Sequence, residues 1–203
     1  MCTWRSAGWT GSVDGEPLWP TVLVGTLREP YKFQLIELPA EPVPAGGGSA
    51  SPAVYYVAWR WTNASSAADP VPTPLPELVT QSAPLVLAPV AHAADFAAYY
   101  MAPLLGAYPV GTTNGSLALL GEWSKWAPVS RNRISRLEVT AATAQTTATL
   151  TVHLMGLAGE TVGLAVATPD LHVTSIQCAI GVLQTAVVTV IQYRGQVIMK
   201  CSN

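Results

Sequence analysis

The chain's reactive and recognition chemistry rests on twelve carboxylates, three histidines, three cysteines and seven tryptophans. Glycoside hydrolysis needs two acids facing one another across a pocket. Asp14, Glu16, Glu29, Glu37, Asp69, Glu77 and Asp95 instead mostly neighbour prolines or loop-forming residues, the setting of solvated turn acids. A metal wants His, Cys or acids at ligand spacing. His92, His153 and His172 lie far apart, and no HxH, HxxxH or CxxC occurs. There is no GxSxG elbow for an activated serine, and no cysteine has a histidine neighbour in sequence. "AGGGSA" (45–50) lacks the lysine and the following helix of a phosphate loop, and reads as a linker. No motif asks for a cofactor.

The aromatic residues are the unusual resource. Trp59 and Trp61 stand two apart, which puts them on one face of a strand, and Trp123 and Trp126 flank Lys125 in "GEWSKWAPVS". Large rings of this kind plug a core, anchor a protein contact, or stack on sugars, because a flat apolar face with a polar edge suits all three. Trp59, Trp61, Trp123 and Trp126 are therefore the candidate binding residues, with core packing as the leading reading.

An odd count of three cysteines argues against a disulfide framework. Cys178 and Cys201 lie in strand-like stretches and pair if those strands are neighbours; buried free thiols are the favoured state. Asn63 ("NAS") and Asn114 ("NGS") are candidate glycosylation sites should the chain traverse a secretory pathway.

Only 11% of residues are charged, 50% are hydrophobic and the net charge is -2. Such a chain has no basic field for nucleic acid or anionic lipid. A weakly charged surface also favours contact with a partner. No stretch reads as a transmembrane helix. The most apolar one (83–110) carries His92, Asp95 and four prolines, which make a spanning helix costly. The opening "MCTWRSAGWTGS" has neither a charged leader nor an apolar run, and does not read as a secretory signal.

Strands must position whatever these residues do. "AVYYVAWRW" (53–61) is aromatic and β-branched, and in "TLTVHL" (149–154) Leu150, Val152 and Leu154 alternate with Thr149, Thr151 and His153. "RLEVT" (136–140), "TVGLAVAT" (161–168), "LHVTSIQCAI" (171–180), "TAVVTVIQY" (185–193) and "QVIMKC" (196–201) follow the same style, with Gly, Pro or Asp between them. Short strands at this spacing predict an all-β fold, an antiparallel two-layered sandwich. Residues 1–203 read as a single domain, with long Pro/Gly-rich loops near 39–53 and 65–77.

Four landmarks occur in order: "CTWRSAGW" (2–9), "VYYVAWRW" (54–61), "LVLAPVAHAADFAAYYMAPLL" (85–105) and "LALLGEWSKWAPVSRNRISRLEV" (117–139). Together they resemble the C-terminal β-domain of the raffinose synthase and alkaline α-galactosidase group, the seed-imbibition-type enzymes related to glycoside hydrolase family 36. The resemblance covers roughly residues 1–140, with a vaguer strand-rich match beyond. "SAGW" replaces a more Gly-rich turn, and the Asn-Ser-Gly-Gly that follows the last landmark in that group is missing. In that group the catalytic carboxylates sit in a barrel N-terminal to this region, so no catalytic residue is carried over. The resulting expectation is a non-catalytic sandwich that serves as a structural or accessory subunit of a larger protein assembly. The alternatives are a carbohydrate-binding or supporting domain, and one subunit of a split glycosidase.

Overall fold

In a chain with this many short apolar and β-branched runs, backbone hydrogen bonds are satisfied by ladders between strands. The computed structural model describes residues 3–6, 21–25, 27, 29–35, 55–61, 76–89, 96–106, 115–122, 125–130, 132–141, 143, 148–193 and 196–203. Loop 39–53, most of loop 65–77, Cys2, Asn63, Asn114 and Trp123 fall outside these residues. The described part is all-β and contains no helix. Its strands are β1 (Thr3–Ser6), β2 (Thr21–Gly25), β3 (Tyr31–Phe33), β4 (Tyr56–Arg60), β5 (Glu77–Val79), β6 (Leu85–Leu87) and β7 (Phe96–Leu105). They continue as β8 (Leu117–Gly121), β9 (Ile134–Thr140), β10 (Ala148–Met155), β11 (Thr161–Ala167), β12 (Val173–Ala179), β13 (Thr185–Tyr193) and β14 (Gln196–Ser202).

An eight-stranded antiparallel sheet runs β1-β2-β7-β8-β11-β12, with β4 also pairing β7 and β5 pairing β4. A four-stranded sheet runs β14-β13-β10-β9, and β3 pairs β6 in a third, small sheet. Loop 65–77 thus ends in a strand: Pro76 is buried, and Glu77 opens β5 with Val79 turned inward.

Period-two alternation shows how the layers stack. On β4, Val57 and Trp59 enter the main core while Tyr56 and Ala58 enter a second one. On β7, Ala98, Tyr100, Ala102 and Leu104 face the first core, and Ala97, Tyr99 and Met101 the second. The first core is closed by the four-stranded sheet through Leu137, Leu150, Val152, Leu154, Ala186, Val188 and Val190. The second is closed by Phe33, Leu85 and Leu87 of the small sheet, with Leu27 and Val79. The expected two-layered sandwich therefore carries a third, smaller layer. Because β7 is covered on both faces, it reads as a continuous apolar run, and it is the described interior strand within the apolar stretch 83–110.

The two main sheets are also joined covalently. β12 is the last strand of one sheet and β14 the last of the other, and Cys178 on β12 is bonded to Cys201 on β14 with a Cα–Cα distance of 5.6 Å. This corrects the expectation of free thiols. Sequence shows that both cysteines lie on strands, but only the meeting of two sheet edges brings them together.

A cross-link between residues 23 apart limits the unfolded chain. Replacing both cysteines by serine should lower the unfolding free energy by about 2–4 kcal/mol, read from urea denaturation.

Candidate functional site

Three connections carry the chain from one main sheet to the other, and they meet at one end of the sandwich. Residues 122–133 lead from β8 to β9, 156–160 from β10 to β11, and 180–184 from β12 to β13. None of the three is a hairpin turn, because the strands it joins belong to different sheets. Backbone bonds lace the last two together: Gly156 N donates to Gln184 O at 3.1 Å, Gly159 N to Ile180 O at 2.9 Å, and Ile180 N to Glu160 O at 2.8 Å.

Arg133 ties the first connection to the second. Its Nε donates to Glu122 Oε2 at 2.9 Å, and its Nη1 to the Met155 carbonyl at 2.7 Å. Nη1 and Nη2 together grip Glu160, at 3.1 and 2.5 Å. Lys125 Nζ lies 2.6 Å from the other Glu122 oxygen, and the Leu157 amide donates to Glu160 Oε2 at 3.1 Å. A guanidinium matched to two carboxylates and a carbonyl in this way holds loops together, with four of its five donors engaged. The Arg133 hydrogen bond, helped by the Leu157 amide, pulls the Glu160 carboxyl down to about 2.

Glycine makes the first connection possible. Gly121 has φ +72°, and a Cβ there would run into the carbonyl oxygen of Pro128, which accepts from Glu122 N at 2.7 Å. The loop closes on itself at that bond and turns Lys125 and Trp126 outward.

The result is an open concavity of about 600 Å³, lined by Trp126, Lys125, Asn132, Arg133, Leu157 and Glu160 among others. Trp126 is 48% exposed and leans edge-on against Trp61, with ring centroids 5.0 Å apart at 88°. Behind it, the Tyr100 hydroxyl donates to the Trp126 carbonyl, and burial pushes the Tyr100 phenol up to about 12. Trp59 packs on Tyr100 at 5.7 Å inside the core. Beside the concavity, Leu157 is 73% exposed, and on the adjoining connection Val182 and Leu183 are 90% and 83% exposed. Two aliphatic-tipped turns and a half-exposed indole thus share one end of the molecule.

The four candidate tryptophans therefore separate. Trp59 is buried and Trp61 half-buried against the same core, so the two share a face and that face is turned inward. Trp126 alone of the described three reaches the concavity. Glu29 is exposed; Glu77 is exposed too, but it opens strand β5, where partial burial raises its carboxyl above the ordinary value. Among the described residues no His/Cys/Asp/Glu cluster could hold a metal ion. Sequence reasoning missed Glu122, Arg133 and Glu160. They are 11 and 27 positions apart, and only the crossing of the sheets brings them together.

Two outcomes follow from this geometry. Gly121→Ala should destabilise the fold by about 2 kcal/mol or more, measured by chemical denaturation, because it combines a left-handed φ with a steric clash. Glu160 has a depressed carboxyl, so its contribution to stability is complete above the ordinary value of 4.5 and is lost as pH falls toward about 2. Glu160→Gln should flatten that acid limb of the melting temperature while lowering it at neutral pH.

No protein-family model, curated protein or solved structure matches the chain.

Proposed function

We propose that this protein is a non-catalytic β-sandwich that acts as an accessory subunit of a larger protein assembly, docking through the end where the three connections meet. The observation that carries this reading is the side-by-side projection of Leu157, Val182 and Leu183 next to the half-exposed Trp126. Large apolar side chains exposed on turns cost solvation in the isolated chain and recover it against a complementary surface. An aromatic anchor flanked by aliphatic residues is the usual composition of an interface centre. Each turn is closed by a backbone bond of its own, Gln184 N donating to Gly181 O and Glu160 N to Leu157 O, both at 2.9 Å.

The acids of the concavity support a non-catalytic role. Glu122 and Glu160 both bond Arg133. A carboxyl held down near 2, as that of Glu160 is, makes a poor general acid at neutral pH. Under the proposed kinship with the raffinose synthase group, this is a sandwich tail with a docking role.

One observation favours a second reading, carbohydrate binding. Trp126 lines the concavity beside Asn132 and Lys125, a ring face with polar groups at its margin. Calorimetry with galactosides and glucans tests it. Saturable heat that disappears in Trp126→Ala would support sugar binding, and flat heats across the series would end it.

For the docking reading, the triple variant Leu157→Asp/Val182→Asp/Leu183→Asp should keep the circular dichroism of the parent, because all three side chains project into solvent. In size fractionation of extracts from the source cells, the parent should run in a high-mass fraction and the variant as a free chain. Each lost anchor is expected to weaken association by about tenfold. A parent chain that runs alone in its own extract at native abundance would overturn the reading.

A further inference from the structure

The four-stranded sheet ends differently on its two sides. β14 closes one side and is tied to β12 by the disulfide. β9 closes the other, and among the described strands it pairs with β10 alone. On β10 the backbone groups alternate between the two neighbours. Met155 turns its N–H to the β9 side, bonding the Arg133 carbonyl at 2.8 Å, and β10 keeps one register with β13 from Ala148 to Met155. His153, Thr151 and Thr149 therefore serve β9 as well, where they meet Arg136, Glu138 and Thr140. The N–H and C=O groups of Leu137 and Val139 are left facing outward, and among the described residues nothing bonds them. Arg136 and Glu138 are the charged residues of β9, and both point out of the sheet, with 61% and 45% of their side chains exposed. Charge on an open edge normally guards it against pairing with other chains. Here the guard admits one register. A two-fold pairing centred on Arg136 or on Glu138 sets like charges opposite, whereas one centred on Leu137 sets Arg136 against the partner's Glu138, twice.

We infer that β9 is a self-association edge: a second copy of this chain adds its own β9 antiparallel across a two-fold axis at Leu137, joining two four-stranded sheets into one of eight strands. The inference goes beyond the docking reading and does not use the three connections. At the axis the two Leu137 residues exchange N–H and C=O bonds, because theirs are backbone groups that face outward. Val139 lies opposite the partner's Ser135 on either side. Arg136 and the partner's Glu138 then form a non-hydrogen-bonded pair, the kind whose side chains come closest across an antiparallel ladder. Within one chain Arg136 Nε bonds Glu138 Oε1 at 2.9 Å, and His153 Nε2 reaches the same oxygen from β10 at 3.4 Å. Pairing therefore exchanges an existing ion pair for two across the axis and strands no charge. Leu137 is buried on the inward face, so the two Leu137 side chains meet where one core adjoins the other. Residues on the two faces keep their sides, since a slip by one position would set Arg136 opposite a buried leucine. The register shift between His153 and Leu154 bends β9 at its Ser135 end and confines the ladder to residues 135–139. An isologous contact this short makes a reversible dimer rather than a permanent one.

The test is sedimentation equilibrium of the purified full chain over a range of concentrations, with two charge reversals. Glu138→Arg sets Arg against Arg across the axis, and Arg136→Glu sets Glu against Glu. Each should keep the parent's circular dichroism, since both side chains are exposed, and each should weaken dimerisation by about tenfold. Both variants lose the ion pair within the chain, but an equimolar mixture of the two restores both pairs across the axis. The mixture should therefore dimerise about as well as the parent, and so should the double variant Arg136→Glu/Glu138→Arg. Independently of any variant, hydrogen exchange at the parent's Leu137 amide should slow as concentration rises, with the Val188 amide unchanged. A parent that dimerises equally with either reversal, or a mixture that stays monomeric, would overturn the inference. So would Leu137 exchange that does not change with dilution. A pure parent that remains monomeric up to its solubility limit would also overturn it, and would leave the edge to a strand from another protein.

Discussion

One guanidinium organises the end of this molecule. Arg133 leaves the chain just before β9, yet its contacts lie on the loop after β8, at the end of β10 and on the connection into β11. Two main sheets joined by repeated crossings have loose connections at the crossing end, since no ladder runs beneath them. A planar group with a fork of donors is suited to that problem, because it bonds several acceptors in one geometry. With 14% of the Arg133 side chain and 7% of Glu122 exposed, the Glu122 contact is largely withdrawn from water, where ion pairs are screened least. Removing one partner would strand the other's charge, so the network acts as a unit.

The placement of Trp126 and Leu157 follows from that arrangement. Trp126 reaches the concavity because the loop around it is closed at Gly121 and Pro128 and pinned by Arg133. Leu157 projects because Glu160, three residues on, is gripped by the same guanidinium and accepts the Leu157 amide. The Val182–Leu183 turn is held by different means, backbone bonds to its neighbour and a covalent bridge at its base. The Arg133 network thus fixes two of the connections, and backbone bonds tie the third to the second.

The sparse charge of the chain has a structural reason apart from any partner. β7, and β4 as far as Trp59, are buried on both faces between two cores, so those runs are apolar without interruption. Among the described residues, the exposed surface includes the outer face of the four-stranded sheet, the small third layer and the crossing end. Of these, the crossing end brings together Leu157, Val182, Leu183 and Trp126. Low charge alone is therefore weaker evidence for a binding partner than the location of these four side chains.

By itself the sequence determined the class of fold and the inward face of the later strands. The alternation of Leu150, Val152 and Leu154 with polar residues is local, and the buried-intermediate pattern of β10 repeats it. Likewise Trp59 and Trp61 share a face for a reason contained in three residues. Tertiary structure alone decided the third layer, the Cys178–Cys201 pairing and the Arg133 network. Each of these depends on which sheet a strand joins, and strand periodicity carries no information about that choice. Two strands with the same alternation can be hairpin partners in one sheet or opposite walls of a core. Only the packing of side chains across the sandwich distinguishes the two.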